Sequence, residues 1–199
     1  INCENLKFNG IQFFAGAFNL VGTYDTTFED CKFIYSSYGK RMLKVIEPGV
    51  PPVKSTVAAA FNISVGPRNP ANLTWRDCEF ANYEGTGLSL KTVGGQLVEN
   101  CYFHNGQIIQ TVGGALVGSG TIMRRNTFHT LGEANATKNG VNVLLEYNRV
   151  YNMHFQGDFS GFQTRVGAQH TTRHRYNWIH DSYGRNAVRF DGDPAGIRC

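Results

Sequence analysis

Glu29-Asp30-Cys31-Lys32-Phe33 returns as Arg76-Asp77-Cys78-Glu79-Phe80 and again as Glu99-Asn100-Cys101-Tyr102-Phe103. Looser copies follow at 124–128 (Arg-Arg-Asn-Thr-Phe), 146–150 (Glu-Tyr-Asn-Arg-Val) and 175–179 (Arg-Tyr-Asn-Trp-Ile), and Glu4-Asn5-Leu6-Lys7-Phe8 reads as an earlier one. The closing residues, Phe8, Phe33, Phe80, Phe103, Phe128, Val150 and Ile179, act as anchors spaced 25, 47, 23, 25, 22 and 29 residues apart. Self-similarity at such a period marks a solenoid, in which each repeat buries its apolar face only against its neighbours. The gap of 47 reads as two coils, one of them carrying a Pro-rich insertion around 47–70.

Stacking the copies produces columns. Five before the anchor stand Cys3, Phe28, Trp75, Val98, Met123, Leu145 and His174. Two before stand Leu6, Cys31, Cys78, Cys101, Asn126, Asn148 and Asn177. Both columns are mostly apolar or small and are expected to face inward. Their odd offset requires a bend, because a straight strand alternates with period two. Two after the anchor, Asn82, Asn105, Asn152 and Asp181 mark a second turn. Four before it, Arg76, Glu99, Arg124, Glu146 and Arg175 alternate in sign. In-register parallel strands put these side chains about 4.8 Å apart, where alternation avoids like-charge contacts. The expected fold is all-β: a right-handed parallel β-helix of about eight coils, one domain over 1–199, a piece of a longer rod. Leucine-rich, propeller and helical repeats lack this combination of period and columns. No polar cap is visible at either end, so further coils or other subunits are expected beyond Ile1 and Cys199.

With 41% hydrophobic residues, 17% charged and a net charge of +4, the chain has enough apolar residues for a core and no block of like charge. Nucleic acid is not an expected partner. No apolar run approaches the roughly 20 residues of a membrane span. Sequons at Asn62, Asn72 and Asn135 suggest glycosylation and a secreted or cell-surface location. Five cysteines cannot all pair with one another, and Cys31, Cys78 and Cys101 share an inward column, which favours stacked buried thiols. His104, His129 and His180 each follow an anchor and share an outward column that Tyr151 interrupts. Surface stacking is the simpler reading of that column, and neither a metal nor a cofactor is expected.

Chemistry is sought at the C-terminal end, in 157–164 (Gly-Asp-Phe-Ser-Gly-Phe-Gln-Thr) and 186–193 (Asn-Ala-Val-Arg-Phe-Asp-Gly-Asp). These belong to consecutive coils, each a short strand beside an acid. From Val143 to Gly196 the chain resembles right-handed β-helix repeat proteins that include glycoside hydrolases such as the β-helix xylosidases. The resemblance rests on Leu145-Glu146-Tyr147-Asn148-Arg149-Val150-Tyr151, Asp158 to Thr164, Arg175-Tyr176-Asn177-Trp178-Ile179-His180-Asp181 and Ala187 to Asp193. It implies Asp158 and Asp191 as catalytic acids, with Asp193 standing in because Gly192 occupies the place of the family's further acid. Glycoside hydrolysis uses two carboxyls at a fixed separation. Arg165, Arg189, His170 and His174 are the candidate contacts for a polysaccharide or glycan, and would serve a lyase-like reaction on a uronate as well. The opposing expectation is a noncatalytic structural or adhesive module of a secreted or cell-surface glycoprotein.

Overall fold

The computed structural model describes residues 4–36, 61–64, 72–83, 85–90, 95–106, 114–132, 135–153, 160–165, 171–183 and 186–191. Among the described residues twenty-one strands, numbered in chain order, form three parallel seven-stranded sheets. The first holds β1 (Lys7–Asn9), β4 (Thr27–Glu29), β7 (Thr74–Arg76), β10 (Leu97–Glu99), β13 (Ile122–Arg124), β16 (Leu144–Glu146) and β19 (Arg173–Arg175). The second holds β2 (Gln12–Phe14), β5 (Lys32–Ile34), β8 (Glu79–Ala81), β11 (Tyr102–Gly106), β14 (Thr127–Leu131), β17 (Arg149–Tyr151) and β20 (Trp178–His180). The third holds β3 (Phe18–Val21), β6 (Phe61–Ser64), β9 (Leu88–Ser89), β12 (Ala115–Val117), β15 (Thr137–Asn139), β18 (Ser160–Arg165) and β21 (Asn186–Asp191). Each sheet takes every third strand, so each coil of the solenoid contributes one strand to each sheet. Seven coils are present among the described residues, one fewer than the spacing suggested.

One register difference explains the count, and a second moves the first anchor. β5 pairs directly with β8, setting Phe33 against Phe80, so the 47-residue gap is one coil. Phe13, not Phe8, pairs with Phe33, while Phe8 pairs with Phe28 in the neighbouring column. The first anchor is therefore Phe13, Ile11 takes the place read for Leu6, and Cys3 lies outside the described residues. Most of the Pro-rich stretch around 47–70 is also outside them, although 61–64 within it forms β6.

Left-handed backbone makes the corners. In the third coil Asn72, Asp77 and Asn82 have φ of 55°, 55° and 53°, five residues apart. The same spacing recurs at Asn5, Gly10 and Ala15, and at Asn142, Tyr147 and Asn152. Asn, Asp and Gly tolerate this region best, which is why they dominate the corner columns. Between corners lie strands of three residues whose middle side chain points inward. Phe13, Phe33, Phe80, Phe103 and Phe128 thus stack with near-parallel rings at centroid spacings of 5.0, 4.8, 4.6 and 4.6 Å. A second stack runs Phe8, Phe28 and Trp75. Each such pair adds about 1 kcal/mol beyond the area it buries.

The column two before the anchor divides into two chemistries. Asn126 and Asn148 each donate Nδ2 to the carboxamide oxygen one coil on, both at 3.0 Å, and to the carbonyls of Val98 and Met123. Their backbone N–H groups are taken by the same oxygens, at 3.0 and 2.9 Å. In the earlier coils the thiols of Cys31 and Cys78 bond the equivalent carbonyls of Phe8 and Phe28. Cys31, Cys78 and Cys101 are free and buried. Within the core, the Tyr83 ring fills a space that a Cβ at Gly106 would overlap. Among the described residues no helix is long and apolar enough to cross a membrane.

Candidate functional site

The C-terminal end of the third sheet holds part of the group anticipated from the sequence. β18 and β21 run side by side, with Gln163 opposite Arg189 and Arg165 opposite Asp191. The Asp191 carboxylate accepts from Gln163 Nε2 at 3.2 Å and from Arg189 Nη2 at 3.4 Å. Both of its oxygens are thus already engaged by groups of this chain. Asp158, Asp193 and His170 lie outside the described residues.

His174 is a correction. It pairs with Leu145 in the inward column of the first sheet and is 7% exposed. Its Nε2 meets the Thr164 hydroxyl at 3.2 Å, and Phe162 packs edge-on against its ring. Burial lowers its pKa to about 4, so near neutrality it is an uncharged core residue, not a surface contact for sugar. Its neighbours Arg173 and Arg175 do point outward, as strand alternation demands.

Asn135 is a second correction. It is 1% exposed, its Nδ2 donates to Gln163 Oε1 at 2.9 Å, and its Oδ1 accepts from the Ser160 backbone and hydroxyl. A glycan on that nitrogen would break a core network, so this sequon serves the fold. Asn72 is exposed at a corner, with Nδ2 donating to Asp25 at 2.8 Å. Asn62 lies in β6 opposite Asn19.

The richer surface is the outward face of the second sheet. Residues just before and just after each anchor share that face. After the anchors, His104, His129, Tyr151 and His180 stack at 5.4, 4.9 and 5.2 Å with interplanar angles of 6°, 12° and 7°. Before the anchors stand Tyr102, Thr127, Arg149 and Trp178. Tyr102 leans on His104 and His129, its hydroxyl bonded to His129 Nε2. Trp178 is 60% exposed and stacks on His180 at 4.0 Å. The Arg149 guanidinium sits 4.4 Å from the Tyr151 ring centre and 4.9 Å from that of Trp178. Around the adjoining corner Tyr147 and Tyr176 stack at 5.0 Å, both exposed, with Arg125 over Tyr147.

Charge is bounded at both ends of this row. Glu79 accepts from His104 Nε2 at 2.9 Å and pairs with Lys32 at 3.1 Å. Burial resists its ionised form, but the His104 and Lys32 contacts outweigh it and hold the carboxyl below its usual range. Burial, with His104 and Arg149 nearby, lowers the pKa of His129, which favours a neutral ring in mid-row. At the far end His180 Nδ1 bonds Asp181 at 2.7 Å. Among the described residues no cluster of His, Cys, Asp or Glu is arranged to hold a metal ion. The histidine column and Tyr151 were visible in the sequence, but Tyr102, Arg149 and Trp178 were not recognised beside them. Reading the positions on both sides of each anchor as one face would have found them.

A model of the right-handed β-helix region matches residues 55–194. Among solved structures, the A-module of mannuronan C-5 epimerase AlgE4 from Azotobacter vinelandii is 13% identical, with a TM-score of 0.42. That alignment covers 98% of this chain and 57% of the epimerase module, so the chain spans little more than half the module's length. The plasmid-mediated fluoroquinolone resistance protein QnrB1, in a trypsin-treated form, is 10% identical over 94% of this chain and 91% of its own, with a TM-score of 0.22. No curated protein matches the chain. The family match over 55–194, on a chain whose three parallel sheets wind coil upon coil, makes this protein a member of the right-handed β-helix family.

Proposed function

We propose that this chain is a polysaccharide-binding rod of a secreted or cell-surface protein, and that the outward face of its second sheet is the binding platform. The observation that carries the reading is the row His104–His129–Tyr151–His180, flanked by Tyr102, Arg149 and Trp178 and running along the rod at one ring per coil. Trp178, 60% exposed, offers an apolar surface to the C–H face of a sugar ring, and the outward polar edges of the stacked Tyr and His rings offer hydrogen bonds to hydroxyls. An elongated row suits a polymer better than a compact ligand. The exposed sequon at Asn72 is in keeping with secretion.

Binding is favoured over hydrolysis because the one described candidate acid, Asp191, is already held by Gln163 and Arg189. The test is affinity electrophoresis of the chain through gels containing xylan, polygalacturonate or dextran sulfate. Retardation by one of them is expected, and Trp178→Ala or Tyr151→Ala should weaken it about tenfold with a normal circular dichroism spectrum. Retardation by none, or equal retardation of wild type and both variants, would overturn the platform. Release of reducing or unsaturated ends from any polymer would overturn binding without catalysis.

A further inference from the structure

Arg149 is held in an unusual way. Its Nε donates to His180 Nε2 at 3.0 Å, while its guanidinium lies over the rings of Tyr151 and Trp178. A guanidinium only donates, so His180 Nε2 must be the acceptor, and the ring is neutral with its proton on Nδ1, bonded to Asp181. The two terminal amino groups of Arg149 make no hydrogen bond among the described residues. They form a preset fork of the kind that receives a planar or tetrahedral oxyanion.

We propose that Arg149, held by His180 above Tyr151 and Trp178, is a proton-gated site for the carboxylate or sulfate group of an acidic polysaccharide. This rests on the reading of the second-sheet face as a polysaccharide platform, and names the ligand charge and the control. When His180 takes a second proton, Nε2 becomes a donor and loses the Arg149 bond. Two like charges then face each other. An anion on the fork relieves that repulsion, and Asp181 steadies the imidazolium from the other side. Anion binding therefore favours the protonated ring, and by reciprocity acid favours the anion.

The other groups facing this site do not supply the same switch. On β17 and β20 the neighbours are the rings of Tyr151 and Trp178. On β14 they are Thr127 and His129, the latter disfavoured from protonation by burial and by His104 and Arg149. Tyr102, His104, Glu79 and Lys32 follow on earlier coils, with Glu79 three rungs away. Three rungs are about 14 Å, beyond the screening length of physiological salt. Tyr147 and Tyr176 lie round the corner.

The test is an imidazole NMR titration of the full chain, alone and with sodium galacturonate or sodium sulfate. In wild type one or both anions should raise the His180 midpoint by about half a pH unit, and in Arg149→Gln neither should. Which anion acts separates a carboxylate ligand from a sulfated one. No rise with either overturns the proposal, whatever the chain does with polymers. In binding assays the matching acidic polymer, polygalacturonate or dextran sulfate, should be held about threefold more tightly near pH 5 than near pH 7.5, with xylan unchanged and His180→Gln flat. Polymer binding that ignores pH overturns the gate and leaves the platform standing. A shifted midpoint with no polymer bound overturns the polysaccharide as ligand.

Discussion

The first and second sheets climb the same seven coils in the same register, and each buries a stack of large rings, yet their outward faces end in opposite states. On the first, Glu99 receives Arg124 at 2.7 Å, Arg125 at 3.1 Å and Arg76 at 3.2 Å, Glu146 receives Arg175 at 2.8 Å, and Glu29 receives Lys7 at 2.7 Å. That face satisfies itself. On the second, the stacked rings present their edges outward and Arg149 is exposed beside them. The difference follows from what a 4.8 Å repeat demands of each chemistry. Charges in a row must alternate, and alternation closes them on one another. Flat rings need no alternation, and stacking leaves their edges open.

The largest break in this contrast should come from reversing one charge in the closed row. Glu99→Lys would set a cation among Arg76, Arg124 and Arg125, and should cost about 3 kcal/mol in urea unfolding. Polymer binding by the protein that remains folded should not change. Nearly as large is an acid effect seated behind the first sheet. The unfolded His174 imidazole takes its proton near 6.5 and the folded one only near 4. Between those values the unfolded chain binds more protons, so stability falls as pH falls, by about 3 kcal/mol in all. His174→Leu should flatten that part of the pH profile of thermal unfolding. Glu99 adds in the same direction at lower pH, because the hydrogen bond from Arg124, with Arg76, holds its carboxyl below the usual range and that gain is lost on protonation. Smaller again is Tyr176→Ala at the corner between the two sheets, expected to cost about 1 kcal/mol through loss of its stack on Tyr147. The smallest is Glu79→Gln on the open face, about 0.5 kcal/mol, read as a shift in urea midpoint.

Much of the frame was legible because parallel stacking writes itself into columns. The ladder Arg76–Glu99–Arg124–Glu146–Arg175 pairs residue by residue as its signs implied, and Glu29 extends it. The Asn126–Asn148–Asn177 column forms the expected hydrogen-bonded stack. The first coil misled because Glu4 to Phe8 imitates the repeated phrase, whereas the true copy, Asn9-Gly10-Ile11-Gln12-Phe13, has Ile11 where the later copies carry Cys or Asn. The third sheet was hardly visible. Its strands keep no fixed distance in sequence from the anchors, and Asn135 gave no sign of being buried. His174 was legible twice with opposite meanings: its column pointed inward, while the dense Arg and His around it suggested a surface patch. The column was the better guide, since a side chain's facing is set by register and not by its neighbours in sequence.

The left-handed corners, five residues apart, carry a consequence for how such a chain can change. From the first corner of a coil to just past the third, the frame is nearly invariant, while the remaining arc ranges from a coil of 20 residues between Phe13 and Phe33 to one of 47 between Phe33 and Phe80. Closing a longer loop is cheap, about 0.6 kcal/mol for each doubling of length. Each coil is thus a cassette with a rigid address and, around its third-sheet strand, an arc whose length varies. New sequence can be spliced into the arc of one coil while the register of every other coil, and with it the ring row on the second sheet, stays where it was.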